Sequence, residues 1–442
     1  YIVIQIILKM RKLTIVLLMF ICFFLADFSV LAQKSNSNLF GGLKFRNIGP
    51  AMTSGRIADI AIHPENENVW YVAVGSGGVW KTKNSGTTWK AIFENQKVYS
   101  TGCITIDPNN PSTIWLGTGE NVGGRHAGFG DGIYVSHNDG KSWKNMGLEN
   151  SEHLSKIIVH PDNSDVVWVA SQGPLWSKGG DRGVYKSIDG GKTWKRTLGD
   201  SEWVGATDLL IDPTNPDVLY AATWQRHRTV AGYLGGGPGS GLHKSIDGGE
   251  TWKALKNGIP NSNLGKIGLA MSPFNSKVIY AAIELDRTKG GFYMSSNGGQ
   301  TWVKQSDAVA GGTGPHYYQE IIASPHHEGT IYFMNNSALE SKNHGKTFER
   351  MRRSNQHSDS HALVFKKSDP NYLLIGTDGG LYESFDGTES WKYVRNLPIT
   401  QYFKIAVDDA KPFYNVYGGT QDNGSHGGPS RTISSDGIAS AD

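Results

Sequence analysis

From about residue 55 onward, short apolar runs alternate with turns rich in Gly, Pro, Asn and Asp. Each repeat reads the same way. An apolar strand A ends at a Pro-bearing turn, as in Ile60-Ala61-Ile62-His63-Pro64, Ile104-Thr105-Ile106-Asp107-Pro108 and Leu209-Leu210-Ile211-Asp212-Pro213. Strand B is predicted at Val69–Val74, Thr113–Gly117, Val166–Ala170, Val218–Ala222, Val278–Ile283, Thr330–Met334 and Tyr372–Gly376. Near-continuous apolar runs such as Val166-Val167-Trp168-Val169-Ala170 fit strands covered on both faces. Strands C and D flank an eight-residue turn, so the unit is a four-stranded antiparallel meander.

That turn is cleanest at Ser187-Ile188-Asp189-Gly190-Gly191-Lys192-Thr193-Trp194. The pattern Ser/Thr-x-Asp/Asn-x-Gly-x-Thr/Ser-Trp returns at Thr82–Trp89, Ser136–Trp143, Ser245–Trp252, Ser295–Trp302, Ser341–Phe348 and Ser384–Trp391. Its Asp or Asn can accept turn N–H groups, its glycine supplies positive φ, and its aromatic opens strand D as an anchor. The seventh copy departs, with Thr388 in the glycine position and Gly387 one place earlier. A period of roughly 50 residues signals radial repetition of four-stranded blades. The predicted fold is all-β, a β-propeller of seven such blades plus the start of a further blade. Gln401–Val407 and Asn415–Thr420 read as strands A and B of that piece, and the tail from Ser434 shows no strand C or box.

The repeat resembles the Asp box of bacterial sialidases, of xyloglucan-degrading glycosidases and of the propeller of sortilin-type receptors, over about residues 43–424. The resemblance implies boxes at the blade periphery, away from ligand. It does not fix an activity, because those relatives do different things. The xyloglucan-degrading relatives carry a catalytic Asp in a Thr-Asp-Val-Gly-Gly-like turn of the first blade. Here that place reads Gly75-Ser76-Gly77-Gly78. The early Phe-Arg-Ile-Pro-like motif of sialidases is matched only loosely by Phe45-Arg46-Asn47-Ile48.

Composition narrows the classes. The formal net charge is +3, with +2 of it in residues 1–32, so nothing suggests a nucleic-acid surface. Met10-Arg11-Lys12 followed by Leu13–Leu25 reads as a secretory signal, cleaved after Ala32. The apolar run is short for a bilayer span, so export to the periplasm or medium is expected, with no span after cleavage. The division is then 1–32 signal peptide with upstream residues, 33–42 polar leader, 43–400 seven-bladed propeller, and 401–442 a further blade or second propeller, cut short. Cys103 would be the single cysteine left and reads as a core filler.

In such a meander, A–B and C–D turns lie on one face of the disc and B–C and D–A connections on the other. The boxes occupy the first face. Long B–C loops at Thr118–Gly132, Ser171–Gly183 and Thr223–Gly241 occupy the second, where binding is expected. Glu120, Asp378 and Asp422 stand at B–C tips and are the acid/base candidates, since hydrolysis of a glycoside needs two carboxyl groups. Arg56, Arg125, Asp131, Trp224, His316, Tyr317, His357, Asp359 and His361 are candidates for binding substrate. In an extended strand His357, Asp359 and His361 would share a face, which suits either a metal ion or a hydrogen-bonded polar cluster. No other cofactor is expected. A Gly-rich phosphate loop, paired Cys motif and Gly-x-Ser-x-Gly elbow are absent from the sequence. Two ligand classes stay open: a polysaccharide or glycoconjugate, bound or hydrolysed, or a peptide or protein bound in the channel.

Overall fold

The computed structural model describes residues 55–199, 202–286, 289–311, 314, 316–351 and 355–434, with Arg46, Ile48, Gly49, Gly437 and Ile438. The expected export signal and polar leader lie outside the described residues. Within them the chain is all strand and turn, and no helix is long and apolar enough to cross a membrane.

Among the described residues, seven four-stranded antiparallel sheets follow one another, here called blades 1 to 7. Blade 1 pairs Ile57–Ile62, Trp70–Val74, Gly78–Thr82 and Lys90–Ala91 in chain order. The innermost strands of the others are Thr101–Ile106, Leu154–His160, Val204–Asp212, Ile267–Ser272, Ile321–Ala323 and Ser360–Phe365. Strand B of blades 3, 4 and 5 is longer than the apolar run predicts, at Asn163–Ser171, Asn215–Gln225 and Asn275–Asp286. Its polar ends pair across tight A–B turns, where backbone hydrogen bonding rather than burial sets the boundary.

Among the described residues, seven apolar clusters each join two adjacent blades. The one holding Ile57, Trp70 and Val72 together with Tyr372, Leu374 and Leu381 joins blade 7 to blade 1, so the succession is cyclic. Cys103 is buried in the cluster between blades 2 and 3, and burial pushes its thiol well up, as befits a core filler.

All seven boxes share one geometry. In blade 3 the Ser187 hydroxyl accepts the Gly191 N–H at 2.8 Å, and Asp189 Oδ1 accepts the Thr193 N–H at 2.9 Å. The same pair of bonds recurs in the other six. The box tryptophan does more than anchor its own hairpin. Trp143, Trp194 and Trp252 each donate Nε1 to the preceding blade, at Ile92 O, Met146 O and Thr197 Oγ1.

Beyond blade 7 comes a three-stranded sheet of Tyr402–Val407, Asn415–Thr420 and Ser425–Pro429. The third strand corrects the sequence reading. Ser425-His426-Gly427-Gly428-Pro429 has no apolar alternation and is held by its ladder to Asn415–Gly419. Its first strand is exposed throughout, including Phe403, Ile405 and Val407.

Candidate functional site

The side chain at the centre of the candidate site is Arg56, which opens strand A of blade 1 and is 2% exposed. Its Nε and Nη2 donate to Asp378 Oδ1 and Oδ2 at 2.6 and 2.9 Å, a bidentate pair. Nη1 donates to Glu120 Oε2 and Nη2 also to the Tyr317 hydroxyl. Asp378 Oδ1 lies 2.8 Å from His361 Nε2, and Tyr317 Oη lies 3.0 Å from His126 Nε2. The Tyr318 ring stacks on His361 at 5.6 Å between centroids. Five candidates from blades 1, 2, 6 and 7 thus converge: Arg56, Glu120, Tyr317, His361 and Asp378. Burial pushes the Asp378 carboxyl up, but His361 and Arg56 overcome this and hold it well below the usual carboxylate range.

Glycine turns place these groups. Glu120 follows Gly119, whose φ is +82° and where a Cβ would lie 1.7 Å from the Glu152 carbonyl oxygen. Glu120 Oε1 then accepts the Gly128 N–H at 3.1 Å, and the Glu120 carbonyl lies 2.8 Å from His153 Nδ1. Ser76, in the turn where relatives of xyloglucanase type would carry an Asp, has its hydroxyl 3.4 Å from Glu120 Oε1.

The blade-2 loop after Glu120 reaches several other blades. Gly123 donates its N–H to the His316 carbonyl at 2.8 Å, and its own carbonyl accepts from Arg228. Val122 joins the apolar cluster of Tyr317 and Tyr318. Asn121 donates to Glu320 Oε1 at 3.3 Å. Arg56, Glu120, Asn121 and Val122 help line a cavity of about 330 Å³ formed mostly by the inner strands. Asp59 and Asp208, also lining it, accept the Ile104 and Leu269 N–H groups of the next blade at 2.9 and 2.8 Å.

The remaining candidates sit elsewhere. Trp224 is fully buried and donates Nε1 to the Gly235 carbonyl at 2.8 Å, so it cannot stack on a sugar. Asp131 accepts the Tyr134 hydroxyl at 3.0 and 2.9 Å and shapes its own loop. His316 packs on Tyr233 at 4.8 Å, and Arg125 is exposed at the rim. Asp422 is exposed with φ +56°, and its Oδ2 accepts Gln421 Nε2 at 2.5 Å. The neighbouring Asn423 donates to the Asp378 carbonyl at 3.1 Å, so this tip does adjoin the cluster.

His357, Asp359 and His361 do not converge, and among the described residues no group of His, Cys, Asp and Glu could hold a metal ion. Asp359 adopts φ +65° and strand A begins only at Ser360, so the two-residue alternation fails. His361 turns to Asp378, Asp359 to Tyr318 and Asn336, and His357 Nδ1 lies 2.6 Å from the Ser358 carbonyl.

Of the aromatic groups left exposed on the loop side, Trp176 and Tyr99 are expected from sequence among the loop and rim residues, and Phe129 is the one sequence reasoning missed. Tyr99, Phe129 and Trp176, in the blade 1–2 connection and the B–C loops of blades 2 and 3, are 68%, 69% and 44% exposed. The Tyr99 carbonyl is tied to the Gly77 and Gly78 amides of the blade-1 B–C turn. The signal for Phe129 lay in its position within the glycine-rich blade-2 loop, where a large apolar residue has no strand neighbour to pack on.

Cyclic four-stranded sheets with boxed C–D hairpins define a β-propeller of the Asp-box class. The chain belongs to the Sortilin-Vps10 family, described as sortilin, neurotensin receptor 3, whose model matches residues 131–266 and 290–442. An oligoxyloglucan-reducing end-specific xyloglucanase of Emericella nidulans is 22% identical over 221 residues, 46% of this chain and 24% of the relative. A xyloglucanase of a Paenibacillus species is 26% identical over 261 residues, 58% of this chain and 22% of the relative. The chain therefore spans roughly a quarter of the length of these curated relatives. The solved GH74 xyloglucanase of Xanthomonas campestris superposes with a TM-score of 0.63 at 14% identity, covering 85% of this chain and 59% of that one. An ancestral GH74 enzyme gives the same TM-score at 18% identity, covering 86% and 54%. At these identities the structural likeness is one of fold.

Proposed function

We propose that this is an exported, glycoside hydrolase-like propeller that binds polysaccharide on the face formed by its B–C and D–A loops. The observation that carries the reading is the exposed set Tyr99, Phe129 and Trp176 on that side. Sugar rings stack on exposed aromatic faces, and three in connections of neighbouring blades suit a chain of sugars better than a single residue. The xyloglucanase relatives support the substrate class. Residues 43–400 would form one closed seven-bladed ring, supported by the cluster joining blade 7 to blade 1, and 401–442 the start of a further unit.

Within this reading Glu120 and Asp378 are positioning residues. Both are nearly inaccessible and bonded to Arg56, and Asp378, held ionised, is a poor proton donor. Asp422 is the carboxylate candidate open to solvent. One free carboxylate is short of the pair that glycoside hydrolysis needs, so the described segment binds rather than cleaves. Membership of the sortilin family favours a second reading, a peptide ligand. The blade-2 loop argues against its lying within the channel.

The test is retention of the purified chain on a panel of immobilised polysaccharides, with sugar release assayed in parallel. Trp176→Ala and Tyr99→Ala are each expected to weaken polysaccharide binding about tenfold, equivalent to ~1.4 kcal/mol, with no sugar released by any form. Binding that both variants leave intact would remove the aromatic site, and release abolished by Asp422→Asn would restore hydrolysis. Affinity for peptides with none for any glycan would establish the second reading.

A further inference from the structure

Three arginines lie beneath the loops of blades 2 to 4 without a carboxylate to pair with. Arg182 is 1% exposed, and its donors go to the carbonyls of Gly179, Gln172, Ser177 and Pro174. Arg226 is fully buried. Its Nη2 donates to the Gly173 carbonyl at 2.9 Å and Nη1 to that of Val122 at 3.4 Å, while its Nε has no partner. Arg228 donates Nε and Nη2 to the Gly123 carbonyl at 3.1 and 2.8 Å, with its guanidinium 4.4 Å from the Tyr233 ring centre. Among the described residues none of the three forms an ion pair. Glu152 acts on Arg182 and Arg226 only from farther off.

A carbonyl satisfies a guanidinium's hydrogen bonds without cancelling its charge. Buried charges normally carry a counter-ion. Burial lowers Arg226 to about 9 and Arg182 to about 10, both above neutrality, so they remain cations at pH 7. In the same blade-4 loop His227 Nδ1 and Tyr233 Oη also lack partners. Arg125 adds a fourth, exposed cation at the rim. Low-dielectric walls project such a field outward, toward solvent on the loop side.

We propose that the loop face over blades 2 to 4 takes an acidic polysaccharide, one whose sugars carry carboxylate or sulfate groups. Arg125 makes the direct contact, and Arg226 and Arg228 supply the field behind it. The proposal rests on the carbohydrate reading above and narrows its substrate class; a neutral glycan would not use this charge.

Titration calorimetry of the whole chain tests it with polygalacturonate, carrageenan and xyloglucan, a carboxylated, a sulfated and a neutral polymer, at about 50 and about 500 mM salt. At least one anionic polymer is expected to bind about tenfold tighter than xyloglucan, with that preference lost at high salt. Which of the two wins distinguishes carboxylate from sulfate. Arg125→Gln should weaken anionic binding about fivefold, whereas Lys192→Gln, in a box on the opposite face, should leave it unchanged. Xyloglucan bound as tightly as either acidic polymer, or anionic binding indifferent to Arg125→Gln, would overturn the proposal while leaving carbohydrate binding in place. Failure to bind any glycan would overturn both.

Discussion

Thr388 shows how strongly a single backbone position is constrained. It adopts φ +84°, the conformation taken by Gly86, Gly140, Gly191, Gly249, Gly299 and Gly345 in the other boxes. A β-branched residue there is strained by about 1–3 kcal/mol, and it persists because the Ser384 hydroxyl and Asp386 carboxylate fix the turn around it. Thr388→Gly is expected to stabilise the fold by about 1 kcal/mol in urea denaturation, less than the full strain because glycine gains freedom in the unfolded chain. Gly191→Thr should do the reverse and more severely. A Cβ at 191 would lie 2.6 Å from the Trp115 ring. Asp378 is the corresponding case for charge. Its folded carboxyl titrates lower than in the unfolded chain, so it stabilises above about pH 4 and loses that contribution as the pH falls below it. Asp378→Asn should cost about 2–3 kcal/mol at pH 7, because Arg56 loses its bidentate partner and keeps Glu120 alone as buried counter-charge. The gap between variant and parent should narrow toward pH 2.

At the scale of elements, the blade-2 loop owes its course to tertiary contacts. Nothing local in Thr118–Gly132 directs it toward His316, Arg228 and Glu320, which belong to other blades. One of its props is His153, which burial drives down to about 3 against the support of its hydrogen bond to the Glu120 carbonyl. The ring titrates near 6.5 when unfolded, so the unfolded chain binds the extra proton first and stability falls as the pH drops from about 6.5 toward 3. This group should remove about 2 kcal/mol between pH 7 and pH 5. His153→Gln should show a correspondingly smaller loss in paired denaturation curves. The box hairpins stand at the other extreme. The Ser/Thr and Asp/Asn side-chain hydrogen bonds that shape their turns span four residues, and for that reason all seven could be read from sequence. The ribbon of His227–Arg228 and Tyr233–Leu234 inside the blade-4 loop could not, being too short and polar for periodicity to reveal.

For the whole molecule, the apolar seams between blades make each sheet depend on two neighbours, including blade 1 on blade 7. The three-stranded sheet after blade 7 lacks such cover on its first strand, where Phe403, Ile405 and Val407 are 61%, 70% and 62% exposed. Hydrogen exchange should therefore find the amides of Tyr402–Val407 and Asn415–Thr420 losing protection well before those of Trp70–Val74 or Leu373–Thr377. Equal protection in both sets would mean that another surface covers this sheet.

By itself the sequence determined the meander and the boxed turns. Each follows from hydrogen bonds and side-chain alternation between near neighbours. Only the tertiary structure decided that Asp378 and Glu120 would close on Arg56, across 322 and 64 residues of chain, that Trp224 would be buried, and that His357, Asp359 and His361 would part. The physical reason is that these outcomes depend on how the ring closes and on single left-handed residues such as Asp359, and no local pattern encodes which distant side chain will stand opposite.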